Sequence, residues 1–255
     1  MSSVIAHRIK HTGLAAFASI AIVAGLITGG AGARSGAGCP QFRASAPFET
    51  FGTVLRGDVD GDGRRDVVYL ATRSGASVAC RYVLIAATSA KQRISIPISQ
   101  QGVGAAPDLR PWPAGLPALD ALARVDTRAG AEIAVSQWSG SSTLFIAVYT
   151  VRDGRLVRFE LGKPFAQPTP ATNTFPVGGS FDTVGGLDCG APASGQILSS
   201  YAVRSGSHYR IVRTYYRVEG VGLREIRRAR VTSKDLPAEF RGIFAHCSVA
   251  SPPRR

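Results

Sequence analysis

Residues 58–72 read Asp-Val-Asp-Gly-Asp-Gly-Arg-Arg-Asp-Val-Val-Tyr-Leu-Ala-Thr, an acidic, glycine-bearing loop that runs directly into an apolar segment. Runs of the same β-type character flank it: Thr53–Arg56 before, then Val78–Ala87 and Arg93–Ile98 after, each set off by a short turn. β-branched and aromatic residues between Gly- and Asp-rich turns read as strands, so this stretch predicts four strands in succession.

The order recurs. Ala118–Val125 leads a second copy, followed by Glu132–Trp138, Thr143–Val151, a turn at Arg152-Asp153-Gly154, and Leu156–Leu161. A third runs Phe181–Leu187, Gln196–Tyr201, Tyr209–Val218, a Glu219-Gly220 turn and Leu223–Ala229. Asp66, Glu132 and Gln196 head the matching strands at offsets of 66 and 64 residues. A fixed period of this size signals stacked supersecondary units, and four antiparallel strands per unit are what a β-propeller blade contains. Tyr209, Ile211 and Arg213 alternate with Arg210, Val212 and Thr214, as a strand requires. Proline-rich stretches at 107–117 and 164–176 lie between the copies and read as connectors, because proline gives a sheet no amide hydrogen. No amphipathic helix is apparent after the N-terminal segment.

The expectation is an all-β chain of about three four-stranded, propeller-like blades, at roughly 50–100, 118–162 and 180–232. They fall within a repeat domain over 34–250, with a tail at 251–255. Propellers have roughly four to eight blades. Three would leave an open fan, close by self-association, or form blade-like sheets packed together.

The loop itself carries the strongest chemical signal. Asp58, Asp60, Asp62 and Asp66 occupy positions 1, 3, 5 and 9 of a tight turn, and carboxylates so spaced converge as a hard divalent cation requires. Gly61 and Gly63 let the backbone bend, which would turn the carbonyl of Arg64, at position 7, inward. Four carboxylates in so small a volume repel one another strongly without a cation. An EF-hand is excluded, since position 12 is Tyr69 rather than Glu and no helices flank the loop. The competing reading is an Asx-rich turn with no ion, because Asp and Gly are ordinary turn residues.

The pattern Asp58-x-Asp60-x-Asp62-Gly63-x-x-Asp66, followed by an apolar strand, resembles the calcium loop of FG-GAP repeats. These form the blades of integrin α-subunit propellers and of exported bacterial FG-GAP or VCBS repeat proteins, and Phe51-Gly52 fits the element that names them. The resemblance implies propeller blades, a Ca²⁺ ion held by Asp58, Asp60, Asp62, the Arg64 carbonyl and Asp66, and a role in adhesion or ligand binding. The second copy keeps only Asp126 and Glu132 of the pattern, with Arg124 and Arg128 at positions 1 and 5. The third keeps only Asp188, with Gly190, Pro192 and Gln196 at the remaining positions. One calcium site is expected, not three.

Residues 1–33 read as a targeting segment. Arg8 and Lys10 precede an apolar run from Leu14 to Thr28, and Ala31-Gly32-Ala33 fits small-x-small cleavage before Arg34. Two rivals remain: a retained membrane anchor through residues 13–33, or a lipid-modified Cys39 after Gly36-Ala37-Gly38. All three place the folded part outside the cytoplasmic membrane, secreted or in the cell envelope. Cys39, Cys80, Cys189 and Cys247 all follow the leader, an even number with no metal-ligand spacing, which predicts two disulfides in an exported chain. Cys39–Cys80 and Cys189–Cys247 are the favoured pairing, since each ties a terminal segment to its nearest repeat. The second closes a long loop, an entropic stabilisation of about 4 kcal/mol.

The net charge is +13, yet only four of the 30 basic residues are lysines. The arginines are scattered apart from the run Arg224–Arg230, which argues against a nucleic-acid partner. No metalloprotease, nucleophile-elbow, phosphate-loop or Cys-x-x-Cys signature is present. His208 and His246 read as surface or structural residues, and Trp112 and Trp138 as core aromatics rather than a pocket lining. Tyr209, Tyr215 and Tyr216, interleaved with Arg210, Arg213 and Arg217, form either a binding face or an arginine-decorated outer strand. The sequence points to an exported calcium-binding module with an unidentified surface ligand and no catalytic residues. The alternative is a hydrolase or other enzyme on a propeller-like scaffold.

Overall fold

The computed structural model of the chain describes residues 48–73, 80–98, 117–139, 142–161, 173–180, 182–190 and 195–250. All lie in the compact unit Ala33–Arg255. The leader, Cys39, Trp112 and the tail at 251–255 fall outside the described residues, and so do the expectations placed on them. The described residues form strands, joined by turns, with a short 3-10 helix at Ala238–Phe240. None of their helices is long and apolar enough to cross a membrane.

The first copy is an antiparallel meander of β1 (Phe48–Gly57), β2 (Asp66–Arg73), β3 (Tyr82–Ala87) and β4 (Arg93–Ile98), which makes a four-stranded sheet. The second contains β5 (Ala118–Ala123), β6 (Glu132–Ser139), β7 (Thr143–Arg152) and β8 (Arg155–Arg158). After the short β9 (Glu160–Leu161) and β10 (Phe175–Gly179), the third copy follows as β11 (Thr183–Cys189), β12 (Gln196–Ser205), β13 (His208–Glu219) and β14 (Gly222–Ser233). β15 (Ser248–Ala250) ends the described chain.

The second and third copies do not stand apart as separate blades. β10 pairs with β7 along Phe175–Gly178 and with β11 at Gly178 and Gly179, joining both copies into one eleven-stranded sheet. Both sheets are open. β10 comes from a stretch that reads as a connector because of its prolines. Pro176 is accommodated because it has a strand neighbour on the β7 side only, so its missing amide hydrogen breaks no central ladder. β9 adds in parallel to β14, and β15 pairs with β5.

Packing follows the alternation of β6. Ile133 and Val135 face Leu55, Val68, Leu70 and Leu84 of the first sheet. Ala134 lies on the opposite side, where Ile146 and Val148 meet Phe175 of β10 and Leu187 and Tyr216 of the third copy. The second copy is thus buried on both faces, and each large side chain enclosed there contributes about 1.5–3 kcal/mol.

The turns at equivalent positions of the three copies pack against one another in chain order. Ala131 donates its amide hydrogen to the carbonyl of Asp58 at 2.7 Å, tying the β5–β6 loop to the β1–β2 loop. Gly130 has φ +96, and a Cβ there would lie 2.8 Å from the carbonyl oxygen of Val59, so only glycine permits this approach. The β11–β12 loop docks in turn on the β5–β6 loop, where a Cβ at Gly195 would meet Thr127 at 3.1 Å.

Candidate metal centre

Asp58, Asp60 and Asp66 each present a carboxylate oxygen within 4.8 Å of the others. The loop backbone sets this arrangement. Asp66 heads β2 and is fully buried. Its Oδ2 accepts the amides of Val59 (2.8 Å) and Asp60 (3.3 Å), while Oδ1 accepts that of Ser89 (2.8 Å). Asp58 accepts the amides of Gly61 at 2.7 Å and Gly63 at 3.1 Å. Asp60 Oδ1 accepts the amide of Asp62 at 3.1 Å. The segment is an Asx-rich turn and a convergent carboxylate cluster at once.

Asp62 stands outside this trio. It is exposed, accepting the Arg64 amide at 2.7 Å and the Ser89 hydroxyl at 2.5 Å. The Ser89 hydroxyl, helped by the Arg64 amide, holds its carboxyl below the usual range. Arg64, also exposed, enters the loop through that amide. At Asp60, burial raises the carboxyl above its ordinary value, and the charges of Asp66, Asp62 and Asp58 push the same way against the Asp62 amide bond. Among the described residues no salt bridge reaches any of the four aspartates.

One residue not singled out by its sequence context completes the picture. Thr88, in the β3–β4 turn, is 8% exposed, and its Oγ1 has no hydrogen-bond partner. It lines a cleft together with Asp60, Gly61 and Asp62. An orphaned buried hydroxyl costs about 1–3 kcal/mol, and a bound group that accepts its proton or coordinates its oxygen removes that penalty. A donor set of clustered carboxylates, with no sulfur or imidazole, suits a hard oxygen-seeking cation. The cluster can hold a metal ion.

The second loop repeats two of these hydrogen bonds and adds a cation of its own. The Val125 amide donates to Glu132 Oε2 at 2.9 Å, as that of Val59 does to Asp66. The Arg128 amide donates to Asp126 Oδ1 at 2.8 Å, as that of Asp62 does to Asp60. Here the guanidinium of Arg152, at the end of β7, bonds Asp126 and lies 3.9 Å from Glu132. In the third copy Asp188 is fully buried, and His246 binds it through Nδ1 and through its amide at 3.2 Å. The neighbouring Cys189 and Cys247, with Cα atoms 6.2 Å apart, are joined in a disulfide as the pairing favoured from the sequence requires. Their sulfurs thus bond each other.

The tyrosines of β13 divide. Tyr216 is core, edge-on to Phe175 at 5.9 Å, whereas Tyr215 lies under the guanidinium of Arg227 at 4.2 Å. Glu239 accepts from Arg213 at 2.7 Å, which removes one arginine from the expected exposed set. Comparison with known proteins supplies no relative: no family model, curated protein or solved structure matches the chain.

Proposed function

We propose that the chain is an exported calcium-binding module of the FG-GAP type, with a structural, adhesive or ligand-binding role at the cell envelope. The observation that carries this reading is the contrast between equivalent loops. Asp58, Asp60 and Asp66 converge with no side-chain cation among the described residues, while the equivalent acids of the second copy have Arg152. The disulfide Cys189–Cys247 supports an oxidising compartment, where such bonds persist.

Asp58, Asp60 and Asp66 would hold the ion, with the Arg64 carbonyl as a further oxygen of the same loop. The ion would supply positive charge to clustered carboxylates, fixing the loop where it enters β2. The test is thermal unfolding of the full chain in 10 mM calcium and in chelator. Calcium should raise the melting temperature of the wild type and leave Asp60→Ala unmoved. An identical wild-type melt in both conditions ends the calcium reading.

A further inference from the structure

We infer that the cleft beside this loop is a binding site for a neutral polyol, a sugar unit with adjacent hydroxyls, which the loop cation helps to hold. This rests on the reading of the loop as a cation site and goes beyond it by naming the ligand class.

The cleft has a volume of about 400 Å³, within the range of small-ligand sites. Three separate turns build it: Asp60 and Asp62 from the β1–β2 loop, Thr88 and Gln92 from the β3–β4 turn, and Asp153 from the β7–β8 turn. Ile94 and Val151 give it an apolar surface. Asp153 and Gln92 are exposed at its mouth, and Thr88 is buried. Thr88 Oγ1 is buried without a partner. Among the described residues neither the Asp153 carboxylate nor the Gln92 amide makes a side-chain hydrogen bond or ion pair.

The chemistry of these groups selects the ligand. Calcium takes roughly six to eight oxygens, more than the three clustered carboxylates provide, and vicinal hydroxyls are neutral oxygen donors of the right hardness. An anionic ligand would meet Asp62 and Asp153, and an ammonium would meet the cation. A neutral hydroxylated ring escapes both. Its hydroxyls can donate to Asp153 and Asp62 and accept from Gln92, while its C–H face covers Ile94 and Val151.

The test uses the full chain. Calorimetric titration with calcium alone comes first. Ligand-observed NMR then follows with methyl α-mannoside, methyl β-galactoside and methyl β-glucuronide, each with calcium and with chelator. At least one neutral glycoside should bind in calcium, weaken at least tenfold in chelator, and exceed the glucuronide by a similar factor. The Gln92→Ala and Asp153→Asn double variant should lose at least fivefold in glycoside affinity with calcium binding unchanged. If calcium binds and neither neutral glycoside does, the polyol inference is wrong and the metal reading stands. If calcium fails to bind, both fall. Glycoside binding unaffected by the double variant also overturns the assignment to this cleft.

Discussion

The β1–β2 and β5–β6 loops solve one electrostatic problem in two ways. Both bend so that an amide early in the loop meets the carboxylate that heads the next strand, Asp66 in one and Glu132 in the other. Both gather further acid beside it. The second loop neutralises its pair with Arg152, from within the chain. The first carries one more clustered carboxylate, no such arginine among the described residues, and an unpartnered buried hydroxyl at Thr88. A covalently tethered cation is always present, whereas a free cation makes loop order depend on its concentration. On the proposed reading, one scaffold carries a constitutive and a conditional version of the same turn.

The largest effect should come from breaking the constitutive version. Arg152→Met leaves Asp126 and Glu132 buried beside each other without their cation, and should cost about 3–5 kcal/mol in urea unfolding. Burial and the nearby Asp126 charge already raise the Glu132 carboxyl. A loss below about 1 kcal/mol would mean that Arg152 is not the counter-charge.

The conditional version should yield less. With a calcium affinity near 10⁻⁴ M, 10 mM calcium stabilises the wild type by about 2.7 kcal/mol. Asp60→Ala should lose about that amount in calcium and far less in chelator, as read by paired denaturant curves. If Asp60→Ala keeps the wild-type response to calcium while Arg152→Met loses it, the roles assigned to the two loops are reversed.

How far this contrast could be read from sequence depends on chain distance. The strands of each copy were legible because alternation and Gly-Asp turns are local properties, as in Asp66–Arg73 and Glu132–Ser139. The aspartates of residues 58–66 were legible for the same reason. Arg152 was not, because it reaches Asp126 from the far end of a third strand, 26 residues on. Thr88 gave no signal, being an ordinary turn residue until the fold buries it. The pairing of Asp188 with His246 spans 58 residues and was equally hidden. β10 was missed because Pro176, Gly178 and Gly179 argue against a strand, and only the waiting edges of β7 and β11 make them one. The merging of the second and third copies into one sheet follows from that single misread segment.

A further difference lies where the first strand of each copy is irregular. β1 breaks register between Phe51 and Val54, and β5 does so between Leu119 and Ala121. In β5 the intervening residue is Asp120, whose Oδ2 accepts the Ser136 amide at 2.7 Å and hydroxyl at 2.8 Å. Burial outweighs these bonds and pushes its carboxyl up to about 6, against an ordinary 3.8. The folded state therefore holds the proton more tightly than the unfolded one. Below about pH 4 the group is protonated in both states and exacts no penalty; from there to about pH 6 ionisation increasingly opposes folding. Asp120→Asn keeps an acceptor for Ser136 and should exceed the wild type by on the order of 2 kcal/mol at pH 8, with the advantage gone by pH 3.5. Equal stabilities at pH 8 would show that the Ser136 bonds compensate the burial.

The smallest expected effect sharpens the first loop from within. By sequence Asp60 and Asp62 are equivalent alternate acids, and the spacing rule gives both to the ion. The structure separates them: Asp60 is part of the converging trio, while Asp62 is exposed and bonded to Ser89. Asp62→Ala should therefore remove the exposed hydrogen bonds from the Ser89 hydroxyl and the Arg64 amide, a small loss of nearly the same size in calcium and in chelator. Asp60→Ala should show a difference between the two conditions several times larger. Measuring both variants under both conditions isolates the metal-dependent part, because losses of turn geometry common to the two conditions cancel. If Asp62→Ala abolishes the calcium response as fully as Asp60→Ala, the carboxylate leaves Ser89 when the ion enters. Binding would then reorganise the link between the β1–β2 and β3–β4 turns, the same link that forms one wall of the cleft.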